Sequence, residues 1–571
     1  MAGDFADVTK SLADLKGDSA QAAACCRAAE ICGSETPQYC VLKASTMERI
    51  LRKDTRQREM AKEVAISLCR REHEGAQLLI LPFKEDLKDI EVECGDLVGS
   101  TQRIKRENIR ILPVGYIKTK WAGDVPDPLL ELNKFSVAKG NIQPVWVDVY
   151  VPEDVQGGVY GGKLTIKPKG MHSWEVGIQV NVWNFMLPHK HLLRTRVGGL
   201  HPELRELLLE YRMSPGFVGY PEIKSRERKE FSEVKALLDS RLEQYRAKGL
   251  NAFFMEFPWY LPCSNPPAIC RYRHPEHIPV KMELGEREHL IRYFRDYAEY
   301  LTSKGCLSDG YVYLWDEPWK RSIGAIQEMA QIVREANPKI RRMIIGTRAL
   351  MPELIGSCDI WCPDGNCFND PAKLRFVRER QKSGDEVWLY GLPGLLYDRD
   401  TKKRSFMEIR LTPSMIWKEG FDGFVFWAAD YWDGKLVKIE NTDCFWEYGA
   451  RSEVFNPGNG VLIYPLLGRA GVFRSIRLES LRDGIEDYEY LAILKIYVEW
   501  LKKQDPQYKK LVAETEKLLQ IPDEVVASVT QYTLEPERVY QWRARVAAAI
   551  EKVMALSPER VLPVGETGRN Q

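Results

Sequence analysis

The pattern of apolar and polar positions divides the chain into regions with different periods. From about residue 40 to 187, apolar and polar or small residues alternate in short runs, as in Val176-Gly-Ile-Gln-Val-Asn-Val-Trp183. A period of two is typical of half-buried strands, and glycine pairs such as Gly157-Gly158 suit the turns between them. The pattern predicts a β-sandwich domain at 40–187. Residues 1–39 form an N-terminal arm in which no clear period predicts an element.

After Pro188 the pattern changes to alternating strands and helices. Eight strand–helix units follow one another in about 300 residues, which predicts a (β/α)8 TIM-like barrel at 188–500. A doubly wound sheet is the alternative, but no Gly-x-Gly-x-x-Gly motif follows a strand. The predicted strands are 194–198, 216–220, 251–257, 311–315, 342–347, 359–363, 386–391 and 422–427. The predicted helices are 202–213, 227–248, 286–303, 324–336, 351–355, 371–381, 405–418 and 475–497.

The last of these helices has an apolar face formed by Leu481, Ile485, Tyr488 and Ala492. We expect it to close the barrel rather than to take part in catalysis. Its charged residues should be mainly solvated or paired: Arg482, Asp483, Glu486, Asp487 and Glu489. Two further amphipathic runs, 508–519 and 537–556, predict a C-terminal helical appendage within 501–571. The whole chain is thus predicted to be a multidomain protein that combines α/β and β parts.

Composition excludes several classes of function. The 571 residues are 44% hydrophobic and 29% charged, as in ordinary globular proteins. A net charge of +1 gives no reason to expect nucleic acid or an anionic membrane as a partner. No apolar run reaches the roughly 18 residues that a membrane span requires. Met1–Lys16 lacks the apolar core of a signal peptide, which predicts either a cytoplasmic protein or one whose leader has been removed.

The cysteines do not form a recognisable framework. Their number, 13, is odd, so complete pairing within the chain is excluded. Cys263 and Cys270 are spaced to close a loop disulfide in an oxidising compartment. The spacing of Cys358, Cys362 and Cys367 is looser than a zinc signature, and no histidine lies near. We therefore predict no metal site, and no motif indicates a cofactor.

The candidate chemistry lies at the end of the fourth barrel strand, in Tyr311-Val-Tyr-Leu-Trp-Asp-Glu-Pro-Trp319. Asp316 and Glu317 follow five apolar residues, and Pro318 cannot continue a central strand. An isolated Asp-Glu-Pro is typical of a turn in which the aspartate caps the next helix. In a barrel, however, the carboxyl ends of the strands form the active site. The position therefore favours a catalytic pair.

Other strand ends should bring acids and aromatic rings to the same mouth. Carboxyl groups protonate a leaving oxygen and stabilise an oxocarbenium-like transition state, and flat rings stack on sugars. Core packing is the alternative for each aromatic residue alone, but their clustering after strands seven and eight favours a sugar site. The predicted substrate-binding residues are Glu256, Trp315, Asp364, Tyr390, Trp427, Asp430, Tyr431 and Trp432.

Several motifs resemble those of glycoside hydrolase family 123. The resemblance spans about residues 60 to 495, and its most specific part is the segment Ser475–Leu491. The other motifs are Cys69–Gln77, Asp127-Pro-Leu-Leu130, Val147-Asp-Val-Tyr-Val-Pro152, Tyr313-Leu-Trp-Asp-Glu-Pro318 and Gly460-Val-Leu-Ile-Tyr-Pro465. Two features depart from the family pattern. Gly458-Asn-Gly460 replaces a frequent Gly-Asp-Gly, and the loop 392–401 has no counterpart.

The resemblance implies a β-N-acetylgalactosaminidase with a sandwich before a barrel, acting on a glycan or glycoconjugate. In such enzymes the residue matching Glu317 is the acid/base. The residue matching Asp316 directs the substrate's own 2-acetamido group as nucleophile, with retention of configuration. Two alternatives remain open. A second carboxylate (Glu256, Asp364 or Asp430) acts against Glu317 as in most glycosidases, or the protein binds carbohydrate without catalysis. Nothing in the sequence indicates the oligomeric state.

Overall fold

The computed structural model describes residues 37–54, 56–119, 123–199, 203–218, 230–257, 284–346, 349–391, 405–431, 435–438, 445–447, 458–465, 471–504 and 506–556. These residues contain an N-terminal pair of β-sheets, a parallel sheet with surrounding helices, and further helices at the C-terminal end. The chain is therefore a mixed α/β protein with a β-rich N-terminal part.

The N-terminal strands follow from the period-two pattern. In the segment Trp174–Met186, for example, buried and more exposed side chains alternate along most of its length. The strands β1–β12 are Tyr39–Ala44, Glu63–Arg70, Glu72–Pro82, Leu87–Cys94, Leu97–Val98, Arg103–Ile104, Ile109–Thr119, Gly123–Leu129, Phe135–Val137, Gln143–Val151, Gly158–Lys167 and Trp174–Met186.

These strands form two sheets that share one hydrophobic core. The larger sheet contains the path β1-β3-β10-β7-β8, and the smaller contains β2-β12-β11-β4-β9. β2 and β12 pair in parallel, whereas the other pairs along both paths are antiparallel. Leu78 from the larger sheet and Ile178 from the smaller lie in the same buried cluster. The predicted β-rich N-terminal part is confirmed.

The alternating strand–helix pattern produces a parallel sheet. Its strands β13–β19 are Arg194–Val197, Phe253–Phe254, Gly310–Asp316, Arg341–Ile345, Ile360–Cys362, Glu386–Tyr390 and Gly423–Phe426. The helices α1–α6 are Leu204–Glu210, Phe231–Ala247, Leu284–Ser303, Ile323–Ala336, Pro371–Lys382 and Met407–Lys418. The order is β13-β19-β18-β17-β16-β15-β14, and every pairing is parallel. The first and last strands of this sheet in chain order, β13 and β19, are thus neighbours, as in a barrel.

Residues 214–216 bridge the gap that remains between β13 and β14. The Val197 N–H donates to the Ser214 carbonyl at 3.0 Å, and the Gly216 N–H donates to the Val197 carbonyl at 3.1 Å. On the other side, the Phe254 N–H donates to the Gly216 carbonyl at 3.0 Å. The predicted second strand, 216–220, is here only a short bridge, because Pro215 has no N–H to extend the ladder. Residues 219–220 lie outside the described ranges, and the barrel is nearly closed.

The segments after β19 add strands to the larger N-terminal sheet and helices at the C-terminal end. Strands β20–β23 are Lys435–Lys438, Phe445–Glu447, Tyr464–Pro465 and Val472–Ser475, and β23 pairs with β8 of the larger sheet. The helices α7–α9 are Ile476–Lys502, Lys509–Leu518 and Pro536–Met554, with a hairpin of β24 (Val526–Ser528) and β25 (Gln531–Tyr532) before the last. The amphipathic runs predicted at 508–519 and 537–556 are confirmed as helices.

Helix α7 is buried on nearly all sides, which corrects one expectation from the sequence. The charged residues expected to be mainly solvated or paired are paired, but none is solvated. Each is at most 2% exposed: Arg482, Asp483, Glu486, Asp487 and Glu489. The reason is that α6, α9 and the larger sheet all pack against this helix.

Arg410 on α6 connects α7 to the larger sheet. Its guanidinium donates to both carboxylate oxygens of Glu74 at 3.0 and 2.7 Å and to Asp487 at 2.9 Å. Arg543 on α9 lies 2.7 Å from Asp487 and also pairs with Glu72. Burial would raise the pKa of Glu74, but Arg410 and Arg543 hold it below its usual value. One buried ionic cluster therefore joins three helices to strand β3.

Two more buried ion pairs attach α7 to the same sheet. Arg482 donates to Asp148 of β10 at 3.0 Å, and Arg477 donates to Asp127 of β8 at 2.9 Å. Burial would raise the pKa of Asp148, but Arg110, His73 and Arg482 hold it well below its usual range. The position of the N-terminal sheets against the barrel thus depends on charges that water does not reach.

Replacement of Arg410 by Met should lower the free energy of unfolding by about 3–5 kcal/mol, because Glu74 and Asp487 would lose a buried partner. Urea unfolding measures this loss. Arg538→Met is the matched control, since it removes an exposed ion pair with Glu535, and it should leave the unfolding midpoint nearly unchanged. Equal midpoints for the two variants would contradict the role of the cluster.

Candidate active site

A β-bulge in β15 determines which side chains reach the barrel interior. The pairing of β15 with β16 shifts register between Tyr313 and Trp315. Tyr311 and Tyr313 lie in the interior cluster, whereas Leu314 and Trp315 both pack in the cluster between sheet and helices. Two consecutive outward side chains turn the next residue inward, and re-aiming a side chain is a common effect of bulges near active sites.

The bulge explains the positions of Asp316 and Trp315. Asp316 is half-buried, and the Tyr313 hydroxyl donates to its Oδ1 at 2.8 Å. Trp315, predicted to contact substrate, is only 4% exposed and packs in the outer core. Regular alternation would have given the opposite result, with Trp315 inward and Asp316 outward. The prediction for Trp315 assumed a strand end without a bulge.

Glu317 has a strained backbone conformation. Its φ is +47°, in the left-handed region that residues other than glycine rarely adopt. Its N–H donates to the Ile345 carbonyl at 2.7 Å. A Cβ added to the neighbouring Gly346 would lie 2.8 Å from Glu317 Cγ and 2.9 Å from Glu317 Cα. The glycine thus leaves the space that Glu317 occupies, and such local strain is often found at functional sites.

Tyr390, at the end of β18, is half-buried beside the two carboxyl groups. Burial raises the pKa of its phenol, and the negative charges of Asp316 and Glu317 raise it further. A neutral tyrosine can donate a hydrogen bond to a carboxylate or to a sugar hydroxyl. The structure therefore brings the predicted Tyr390 together with the pair.

Glu256 and Asp364 make contacts that differ from those of the pair. Glu256 is 5% exposed, and its Oε2 accepts a hydrogen bond from the Tyr297 hydroxyl of α3 at 3.0 Å. Asp364 caps the 3₁₀ helix Gly365–Asn369, because its carboxylate accepts from the Asn366 backbone N–H at 3.2 Å and side-chain amide at 2.9 Å. The backbone of Asp364 nevertheless forms an isolated parallel β-bridge with that of Tyr390, which places it next to the end of β18.

The residues after β19 form a cluster of rings and one acid. The Trp427 and Tyr431 rings are 4.9 Å apart, and Trp427 Nε1 donates to Asn459 Oδ1 at 2.8 Å. An aspartate at 459 would accept this bond equally well, so the departure from Gly-Asp-Gly preserves the contact. A Cβ on Gly199 would lie 2.9 Å from Asp430 Oδ1, which places Asp430 beside the end of β13. Trp432 lies outside the described residues.

Sequence reasoning missed three residues that support the pair. Tyr313 gave no clear signal, because residues three apart in a regular strand face opposite sides and only the bulge brings Tyr313 and Asp316 together. Gly346 gave no signal, because its role depends on the packing of β16 against β15. Arg196 lies 2% exposed inside the barrel, with its NH1 donating to the Trp427 carbonyl at 3.4 Å. An arginine in the predicted first strand was its only signal.

Within the part of the chain that the structure describes, no group of three or more histidine, cysteine, aspartate or glutamate side chains is placed to hold a metal ion. Cys358, Cys362 and Cys367 are buried free thiols, and Cys263 and Cys270 lie outside the described residues. Among those same residues, none of the helices has the length and apolar character needed to cross a membrane.

Replacement of Glu317 by Gly should increase the free energy of unfolding by about 1 kcal/mol relative to Glu317→Gln, because glycine adopts positive φ without steric cost. Thermal unfolding of the two variants measures the difference. The glutamine variant is the control, since it removes the charge but keeps the strained conformation. A glycine variant less stable than the glutamine variant would show that the conformation carries no strain.

Comparison with solved structures supports this fold. A family 123 glycoside hydrolase from Clostridium perfringens matches with a TM-score of 0.58 at 14% identity, over 91% of this chain and 98% of that chain. A family 39 glycoside hydrolase from Bacteroides cellulosilyticus WH2 has a TM-score of 0.31 at 11% identity, over 70% and 80% of the two chains. Only the first is similar enough to indicate a shared fold.

Comparison with family models gives the assignment. A search of curated proteins finds no match. The model "Glycoside hydrolase 123, catalytic domain" matches residues 249–494, and "Glycoside hydrolase 123 N-terminal domain" matches residues 44–168. Together they cover more than half of the chain and include the Asp316–Glu317 pair. The chain therefore belongs to glycoside hydrolase family 123 and is a glycosidase.

Proposed function

We propose that this enzyme hydrolyses terminal 2-acetamido sugars, of the β-N-acetylgalactosaminide type, by a retaining, substrate-assisted mechanism. The proposal includes a complete (β/α)8 barrel, in which residues 214–218 act as the second strand, and a β-sandwich before it. The C. perfringens structure is described for glycolipid glycan hydrolysis. A glycan or glycoconjugate is accordingly the proposed substrate here.

The observation that carries the proposal is the geometry of two consecutive carboxyl groups at the end of β15. The bulge turns Asp316 inward, and the positive φ of Glu317 changes the chain direction at the next residue. Neighbouring acids in such a kink can approach different atoms of one substrate. The Tyr313 hydroxyl stabilises the ionised form of Asp316, because a hydrogen bond donated to a carboxylate favours its charge.

The proposed reaction has two steps. In the first, Glu317 donates its proton to the glycosidic oxygen while the acetamido carbonyl oxygen bonds to the anomeric carbon and the leaving group departs. In the second, the Glu317 carboxylate takes a proton from water, whose oxygen attacks the anomeric carbon and breaks the bond to the acetamido oxygen. In both steps Asp316 accepts a hydrogen bond from the acetamido N–H and stabilises the positive charge that develops on the acetamido group.

The alternative with a second carboxylate is less well supported by the contacts. Glu256 accepts a hydrogen bond from Tyr297 on the helical side of the sheet, and Asp364 caps its own 3₁₀ helix. A double-displacement glycosidase needs its second carboxyl about 5–5.5 Å from the first. Asp430 remains a candidate by location. Nitrophenyl glycosides with and without the 2-acetamido group separate the mechanisms, because only the substrate-assisted one requires that group.

The screen also separates catalysis from simple recognition. Turnover of acetamido sugars alone is expected. Turnover of plain galactosides or glucosides but not of acetamido sugars would reject the substrate-assisted mechanism. No turnover of any glycoside, together with retained binding to a glycan array, would favour a carbohydrate-binding protein without catalysis.

The roles of the two acids predict different sensitivities to the leaving group. Glu317→Gln should slow substrates with poor leaving groups by about 10²–10⁴-fold, the usual contribution of an acid/base group. Activated aryl glycosides should be affected far less, because their leaving group needs little protonation. Asp316→Asn should slow both substrate classes alike, since attack by the acetamido oxygen is needed for the departure of either leaving group. Steady-state kinetics with both classes provide the measurement. Equal losses for both classes in a folded Glu317→Gln variant would show that the assigned roles are wrong.

Gly346→Ala should reduce kcat/KM by about 100-fold, because its Cβ would displace Glu317 and a shift of about 1 Å in a catalytic group has this effect. Gly356→Ala is the matched control. Both glycines have positive φ, +121° and +84°, but nothing lies within 4 Å of a Cβ at Gly356. Both variants should lose some stability, and only the first should lose activity. Similar kcat/KM values in the two variants would contradict the role of Gly346.

A further inference from the structure

Arg196 is a buried cation inside the barrel, directly below the site. It lies on β13 and is 2% exposed. Its guanidinium carbon is 5.0 Å from the centre of the Phe254 ring, and NH1 donates weakly to the Trp427 carbonyl at 3.4 Å. A Cβ on Gly216 would come within 2.9 Å of Arg196 Nε, so the bridging segment 214–216 leaves just enough space for this side chain.

Most of the hydrogen-bonding capacity of Arg196 is unused. Within the described residues, its Nε and NH2 are buried and donate to no protein group, and no carboxylate there lies within ion-pair distance of the guanidinium. Burial of an uncompensated charge is costly. Arg194 shows the ordinary solution at the opposite end of the same strand, where its NH1 lies 2.7 Å from Glu386. A buried cation without such a partner needs an anion within electrostatic range.

The carboxyl groups at this end of the barrel are Asp316, Glu317 and Asp430, and a series of contacts leads from Arg196 to the first of them. The Phe254 ring, on which Arg196 lies, is stacked on the Tyr313 ring at 5.1 Å and 16°. The Tyr313 hydroxyl donates to Asp316 Oδ1 at 2.8 Å. A continuous path of contacts thus runs from Arg196 on β13, through the stacked rings of Phe254 and Tyr313, to the Asp316 carboxylate.

We infer that Arg196 is a positioning residue whose positive charge keeps Asp316 ionised and oriented through Phe254 and Tyr313. The inference rests on the proposed function, in which Asp316 must be a carboxylate. Burial raises the pKa of Tyr313, Asp316 raises it further and Arg196 lowers it, so this phenol lies within range of both charges. The ionisable groups that face this path from the packed strands and their ends are Tyr311, Tyr313, Asp316, Glu317, Arg341, Cys362, Asp364, Tyr390 and Asp430.

The test is the pH dependence of kcat/KM for an acetamido aryl glycoside. Loss of the cation should raise the pKa of Asp316, which must be ionised for activity. In Arg196→Met, the acidic side of the pH profile of kcat/KM (the acid limb) should therefore move up by about one pH unit, and kcat/KM at pH values below that limb should be about tenfold lower. Arg196→Lys retains the charge and should keep the limb near its wild-type position. Arg194→Met is the matched control, since it removes a half-buried cation from the same strand whose partner is Glu386 and not the Asp316 path. It should lose stability without moving the limb.

A second readout requires no turnover. A carbodiimide with an added amine labels protonated carboxyl groups, and mass spectrometry distinguishes Asp316 from Glu317. The midpoint for Asp316 labelling should shift upward in Arg196→Met and not in Arg194→Met. This separates the inference from the proposed function, because the labelling shift can be observed even if no acetamido sugar is hydrolysed.

Tyr313→Phe provides an independent variant if Arg196→Met does not fold. It interrupts the path while Arg196 stays in place, and it should shift the labelling midpoint of Asp316 in the same direction. An unchanged midpoint in Tyr313→Phe overturns the inference. So does an unchanged midpoint in a folded Arg196→Met variant.

Discussion

The ionic contact of Arg410 with Glu74 and Asp487 is the constraint on which the arrangement of this enzyme depends. It lies where α6, α7 and the larger N-terminal sheet meet, out of reach of water. Buried charges tolerate only the geometry in which their hydrogen bonds are satisfied. An apolar contact at this place would permit sliding or rotation at a small cost. The cluster instead specifies one orientation of the sheets against the barrel.

Most of the motifs that resemble the family contribute to this cluster or to the buried pairs beside it. Outside the Asp-Glu motif, they supply residues that pair with one another or with Arg410 and Arg543: Glu72, Glu74, Asp127, Asp148, Tyr464, Arg477, Arg482 and Asp487. None of these residues belongs to the proposed catalytic machinery. In this protein, those motifs therefore hold the architecture together, and the Asp-Glu motif at the end of β15 carries the proposed chemistry.

The site itself combines strain with electrostatic support. The bulge in β15 and the positive φ of Glu317 direct two consecutive acids toward the site, which costs free energy. The surrounding barrel provides the compensation: Gly346 leaves space, Tyr313 donates to Asp316, and Arg196 supplies positive charge from below. A rigid parallel sheet is suited to this task, because its ladders hold the strand ends against the strain.

The sequence by itself determined most of the order of strands and helices and the place of Asp316 and Glu317 at a strand end, because hydrophobic periodicity is a local property. The exceptions are the predicted strand 216–220, whose described part is only a bridge, and the predicted helix 351–355, where the structure has the 3₁₀ helix Pro352–Leu354. It could not determine the direction of Trp315, since that depends on the register of β15 against β16. Nor could it determine that the charges of α7 are buried, because their partners, such as Asp127 and Asp148, lie more than 300 residues away in the chain. Tertiary structure decided these points, since burial and ion pairing depend on which distant segments meet.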